Sequence, residues 1–334
     1  MTQATLDDLR RLAEEVRNWG RWGADDQIGT LNLIGPQELA GAMALGPKGK
    51  VIPLGAPIHA DGLWDANTFR RNPIHVFTVN GGDWDGIGEA LADWPDAPTS
   101  DKAIFGATAA SSTRFADDVV IMGLQTSTQW DALSHAWYDG LLYNGVPANR
   151  VTTRGSTHAD ITQILQKGVA GRGVLIDVAG HRGVPHLPAN EPIFAEELDR
   201  VAAAQGVAVR PGDILLVRTG WWSTWTPGGD GPAWRNGCPG LHWTAARWLR
   251  EKDVAAVASD NLAVEVRAAD VAGATLPLHM LALRDMGLTL GELWDFEALA
   301  RDCTEDGVYE MFVAAPPLRV PGAVGSAITP IAIK

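Results

Sequence analysis

Short apolar runs rich in β-branched residues recur along this chain, and segments of helical character separate them. Val174–Val178 reads VLIDV, Ile214–Val217 reads ILLV and Val119–Met122 reads VVIM. Each is bounded by Gly, Asp or Arg, and the pattern predicts buried strands. A fourth run, Val254–Ala258 (VAAVA), ends in Ser259-Asp260-Asn261. Between and after the runs, Ala195–Gln205 stops at Gly206 as a glycine-capped helix does. Ala245–Glu251 carries Trp248 and Leu249, and Leu293–Asp302 sets Leu293, Phe296, Leu299 and Ala300 on one helical face. Strands alternating with helices predict a mixed α/β (α+β) domain.

No shift in composition marks an internal boundary, so residues 1–334 read as one domain with an N-terminal helical extension over about 1–35. Within that extension Thr5 and Asp8 stand at capping-box spacing, and Leu6, Leu9, Leu12 and Val16 recur at helical spacing. Gly (37) and Pro (20) are spread throughout, which favours short strands and many loops over a helical bundle. Asp83–Lys102 is acidic and rich in turn formers, and reads as a surface excursion.

Hydrophobic residues make up 46% of the chain and charged residues 20%, enough apolar material for a core and too much for disorder. No apolar run reaches the roughly 18 residues of a membrane span. The net charge is −13 and no Lys/Arg cluster offsets it, which argues against a nucleic-acid binder. Cys238 and Cys303 form no CxxC pair, so neither a cysteine zinc site nor a disulfide framework is expected. The N-terminal stretch lacks a basic start followed by an apolar block, so the expected compartment is the cytoplasm. The chain has no P-loop, GxSxG, HExxH or GxGxxG motif.

Among eight histidines, His135 has the most suggestive context, in Gln125-Thr-Ser-Thr-Gln129-Trp-Asp131-Ala-Leu-Ser-His135. Gln129 and Asp131 share a face if the segment is extended, and two oxygen ligands on one face can form one side of a cation site. His135 then stands within reach as a proton shuttle. From spacing alone, a polar cluster capping a strand end is the simpler reading. The second constellation is His279 with Glu292, which can complete a metal site or an acid/base pair. Alternatively, His279 is a hydrogen-bonded core residue and Glu292 an acid favoured in the first turn of a helix. The remaining histidines stand beside Pro, Gly or Arg in apparent loops. Of fourteen tryptophans, Trp221, Trp222, Trp225 and Trp234 cluster after ILLVRTG. Packing is their simplest role, and walling an apolar ligand pocket is the alternative.

Taken together, these stretches resemble the cyclase or kynurenine-formamidase-like metal-dependent hydrolases, which include isatin hydrolase. That family carries HxGTHxDxPxH, in which the first two His and the Asp bind metal and the last His is a catalytic acid/base. On this chain the Asp falls on Asp131, the last His on His135 and the Thr on Thr128. The two metal-binding His positions are occupied by Gln125 and Gln129, the Gly by Ser127 and the Pro by Leu133. The family's later His and Glu fall on His279 and Glu292. Further similar stretches include NWGRWGADDQIGTLNLI, RPGDILLVRTGW, ASDNLAVEV and LPLHMLALRDMGLTLGE.

The resemblance implies a swivelling β/β/α fold in homodimers or homotetramers and a small-molecule substrate; the charge and the lack of a long apolar run imply no nucleic-acid or membrane partner. It also implies hydrolysis of an amide, lactone or cyclic amide by metal-activated water, with His135 and Glu292 catalytic. An amide oxygen is a weaker ligand than imidazole for Zn²⁺ or Mn²⁺. The expectation is therefore one divalent ion on Asp131, His279 and Glu292, with Gln129 as a weak fourth ligand. Gln125, Trp130, Trp137, Trp221 and Trp222 are the expected substrate contacts. A metal-independent lyase, isomerase or cyclase on the same scaffold is the main alternative, and a non-catalytic binding protein the other.

Overall fold

The central apolar runs form the middle of one mixed sheet. The computed structural model describes residues 4–46, 48–65, 69–80, 114–267 and 271–334. The Asp83–Lys102 segment lies outside the described residues. The strands are β1 (Val51–Pro53), β2 (Gln129–Asp131), β3 (Ala170–Asp177), β4 (Ile214–Arg218), β5 (Ala256–Ser259), β6 (Thr289–Glu292), β7 (Glu310–Ala314), β8 (Gly325–Ala327) and β9 (Ile331–Ile333). Their spatial order is β1-β9-β7-β3-β4-β5-β6-β2-β8. The four central strands β3 to β6 run parallel, and every pair outside them is antiparallel.

A parallel centre needs cover on both faces, which is why these strands read as unbroken apolar runs. Alternate side chains enter two different cores. Val174, Ile176, Leu215, Val217, Val257 and Leu290 pack with the N-terminal helix and Met280–Met286 on one face. Leu175, Ile214, Leu216, Ala256 and Ala258 pack with Trp130, Trp294, Leu299 and Met311 on the other. Helix Leu6–Val16 forms with the capping box read from sequence: the Thr5 hydroxyl accepts from the Asp8 N–H, and the Asp8 carboxylate accepts from the Thr5 N–H at 2.9 Å. Its Leu9, Leu12, Ala13 and Val16 enter the first core, so the N-terminal segment is built into the domain.

Two expectations are corrected. Asp117–Ile121 is not a core strand; it pairs with Ile74–Val79 in a separate two-stranded ribbon, and its side chains are exposed. The final helix starts at Glu297 rather than Leu293, because Leu293 takes a left-handed φ of 58° and Trp294 bridges Gly55. Among the described residues no helix is long and apolar enough to cross a membrane. Cys238 and Cys303 are free and buried.

Candidate active site

The parity of β2 places Gln129 and Asp131 on one face and Trp130 on the other. On the adjacent strand Glu292 pairs with Gln129, and Gly291 with Trp130. The three polar side chains therefore emerge together on the face opposite Trp130. Gly291 has a steric reason: a Cβ there would lie 2.6 Å from the Trp130 ring and 2.8 Å from Trp294 Nε1. Trp130 is fully buried against Trp294 and donates to the Ala315 carbonyl at 2.9 Å. Glu292 is the last residue of a strand, not the first turn of a helix as one reading of the sequence had it.

His279 reaches the same spot from the short helix Pro277–His279. Its Nε2 is 3.1 Å from Glu292 Oε1 and 3.6 Å from Asp131 Oδ2. Its other ring nitrogen, Nδ1, lies 2.6 Å from Glu265 Oε1. Glu265 also accepts from the backbone N–H groups of Leu278 at 2.8 Å and His279 at 2.9 Å. One carboxylate thus starts the helix and turns the imidazole. The loop that delivers it is locked in turn. Asp260 accepts from Thr219 N–H, Thr219 O–H and Gly220 N–H at 2.7–2.8 Å, and Asn261 Oδ1 accepts from Val264 N–H at 2.7 Å. Val264, beside Glu265, has a φ of 58°, as does Leu293 beside Glu292. Left-handed conformations of branched residues are strained, and such strain collects where side chains must be aimed.

Asp131, His279 and Glu292 each offer one ligand atom, all within 4.8 Å of one another and all buried. The Gln129 amide donates to Glu292 Oε2 at 2.8 Å and to Asp131 Oδ1 at 3.4 Å. Among the described residues, Asp131 Oδ2 and Gln129 Oε1 are buried without a hydrogen-bond partner. Buried oxygens are rarely left so. One imidazole and two carboxylates with unsatisfied oxygen are a donor set that suits Zn²⁺ or Mn²⁺.

Electrostatics follow from the crowding. Burial and then repulsion by Asp131 push Glu292 above the ordinary carboxylate range. Burial would also raise Asp131, but His135, His279 and Arg70 overcome it and hold it below its usual value. Burial disfavours a charged His279, yet its hydrogen bonds with Asp131, Glu265 and Glu292 prevail and raise it well above an ordinary histidine. The carboxylates create a demand for positive charge at one point.

His135 follows a tight turn in which its N–H donates to the Ala132 carbonyl at 2.9 Å. Its Nε2 is 3.7 Å from Asp131 Oδ1, and the ring is partly exposed. His135, His279 and Glu292 open into a cavity of about 490 Å³ whose walls include Trp64, Phe69, Arg70, Arg235, Leu262, Arg267 and Leu276.

The other expected contacts lie elsewhere. Gln125 packs against Gly325 of β8, where its amide fills the space a Cβ would need. Trp130 belongs to the core behind the sheet, and Trp137 is 39% exposed and does not line this cavity. Trp221 is buried with Trp234, Leu63 and Trp64. Trp222 lines a neighbouring apolar cavity of about 320 Å³ with Trp225, Thr126, Ser127 and Leu293. Glu265, Trp64, Arg70 and Arg267 were not singled out from sequence. Only Glu265 had a local signal, an acid set inside the apolar run AVEV, where a buried carboxylate must find partners.

Residues 52–266 match the family described as Putative cyclase. The chain is also 39% identical to a crystal structure described as a novel cyclase, with 96% of this chain and 99% of that one covered and a TM-score of 0.82. This chain belongs to the cyclase family. Isatin hydrolase A from Labrenzia aggregata, bound to benzyl benzoate, is 14% identical, covering 89% of this chain and 97% of that one with a TM-score of 0.57. Isatin hydrolase A from Ralstonia solanacearum is 17% identical, covering 88% and 95% with a TM-score of 0.58. At these identities the cyclase-family member and the isatin hydrolases share a fold. A comparison with curated proteins finds no match.

Proposed function

We propose that this cyclase-family protein is a hydrolase that opens an amide, lactone or cyclic amide of a small organic molecule at the Asp131–His279–Glu292 cluster. The observation that carries the reading is that these three side chains converge within 4.8 Å, and two of them, His279 and Glu292, line a cavity that His135 also lines. Asp131, His279 and Glu292 would hold one divalent ion, Zn²⁺ or Mn²⁺. Bound there, such an ion would supply Lewis acidity toward a carbonyl oxygen and toward water. Glu265 fixes His279 by accepting a hydrogen bond from Nδ1–H, which leaves Nε2 directed at the cluster. Gln129 steadies the two carboxylates with its amide N–H group, and the amide turned by half a circle offers Oε1 to the same space. His135 moves the proton: Nε2 faces Asp131, while Nδ1 is buried with no partner among the described residues. A general acid/base at this position protonates the leaving nitrogen or oxygen. The names of the isatin hydrolases of like fold are in keeping with hydrolysis.

One observation favours a metal-free reading. An imidazolium at His279 already satisfies part of the cluster, with Glu265 at 2.6 Å and Glu292 at 3.1 Å. The reaction then rests on proton transfer among Asp131, His135 and Glu292. A panel of aryl formamides, lactones and cyclic imides, assayed before and after chelation and again after adding back Zn²⁺ or Mn²⁺, separates the readings. Turnover lost on chelation and restored by metal supports the hydrolase with metal. Turnover indifferent to chelation supports the metal-free reaction. No turnover of any member in the metal-loaded protein counts against the assigned reaction class.

A further inference from the structure

The cavity above the cluster has an acidic floor and a cationic wall. Glu292, whose carboxylate lies beside that of Asp131, lines the cavity together with Arg70, Arg235 and Arg267. Two of the three are committed within the protein. Arg235 donates to the Leu63 carbonyl and to Asp65 at 3.1 Å, and lies 5.2 Å from the centre of the Trp64 ring. Arg70 lies 5.0 Å from the same ring and 3.9 Å from Glu292 Oε2. Arg267 differs. Among the described residues its guanidinium forms no ion pair, and its buried Nε has no acceptor. A buried N–H without an acceptor is costly to keep, and the guanidinium's fork of N–H groups matches a carboxylate in shape.

We propose that the substrate carries an anionic group, a carboxylate in the simplest case, which Arg267 binds on the cavity wall while the reacting carbonyl lies over the floor. Leu262 and Leu276 also line the cavity and offer apolar cover for the body of the molecule. The volume of about 490 Å³ suits a compact aromatic or alicyclic acid. The chain's net charge of −13 disfavours an anion at long range, but a local guanidinium in a low-dielectric cavity dominates at contact. The position of the carbonyl rests on the hydrolase reading; the anion site does not.

Calorimetric titration with two probes tests this without turnover. Benzenesulfonate carries the charge but is a poor metal ligand, and methyl phenyl sulfone is its neutral counterpart. The protein as purified is expected to bind the sulfonate at least about tenfold more tightly, the scale of one charge-assisted contact. R267Q is expected to bind both alike, with affinity for the sulfone unchanged. Equal binding by the unaltered protein, or a preference that persists in R267Q, overturns the proposal. Should R267Q fail to fold, R267A removes the same charge, and an anion preference that persists there is equally contradictory. An intact anion preference in a protein that hydrolyses nothing would leave this site standing and remove the reaction.

Discussion

The Glu265 carboxylate accepts twice from His279, from the backbone N–H at 2.9 Å and from ring Nδ1 at 2.6 Å, and both side chains are almost wholly buried. The relationship sets which ring nitrogen is left for the cluster. It also joins the Asp260–Glu265 loop to the helix beginning at Pro277.

Glu265→Gln tests that coupling. The amide keeps the shape but cannot accept all three hydrogen bonds and no longer favours the proton on Nδ1. The expected result is a loss of about 10–100-fold in Zn²⁺ or Mn²⁺ affinity, read by competition with a chelator. Thermal stability falls as well, since an unsatisfied buried N–H costs about 1–3 kcal/mol. Unchanged metal affinity would place Glu265 in a purely structural role.

His135→Ala is expected to lower kcat on the order of a hundredfold to ten-thousandfold, the usual contribution of a general acid/base. Metal content should stay level, because His135 is not among the three converging ligands. Steady-state kinetics with metal analysis on the same sample checks both halves. Full activity, or loss of metal, contradicts the role given to this residue.

Gly291→Ala probes the floor from behind. The added methyl meets the rings of Trp130 and Trp294 and Cβ of Ala258, all within 3 Å. Such overpacking costs about 1–3 kcal/mol, visible as a lower midpoint in chemical denaturation. A variant as stable as the parent would mean that the Trp130–Trp294 pair has room to move.

Asp306 gives a pH prediction away from the site. Burial would raise its pKa, but Lys48 at 2.7 Å, Lys334 at 2.9 Å and the Val308 N–H at 2.9 Å hold it far below its unfolded value of 3.8. A depressed carboxylate contributes stability that is present above the unfolded value and lost as pH falls through the folded one. Asp306→Asn should therefore lower Tm at pH 7, and the difference from the parent should shrink below about pH 4. A Tm difference that stays constant down to pH 2 would contradict the assignment.

What could be read beforehand followed the local physics. Runs such as VLIDV and ILLV announce strands because both their faces are covered, and Thr5 with Asp8 announces a helix start because a capping box is local. VVIM looks the same, but its Val119, Val120 and Ile121 lie in the exposed strand Asp117–Ile121; apolar character alone does not say which face is covered. Asp131, His135, His279 and Glu292 were legible through the family resemblance, and the shared face of Gln129 and Asp131 through strand parity. Glu265 and Arg267 were not, because Glu265 acts through backbone and ring groups of the Pro277–His279 helix and Arg267 through a cavity wall assembled from several segments. Trp130 and Trp221 were expected at a ligand and sit instead in cores, since a large aromatic near a motif is more often packing.

The central claim is that Asp131, His279 and Glu292 hold one divalent ion. Elemental analysis of protein purified without chelator, beside Asp131→Ala prepared identically, tests it most directly. The account predicts about one Zn or Mn per chain in the parent, as a mononuclear site requires, and a large loss in the variant. No metal in the parent even after incubation with Zn²⁺ and Mn²⁺, or equal occupancy in the variant, would contradict it.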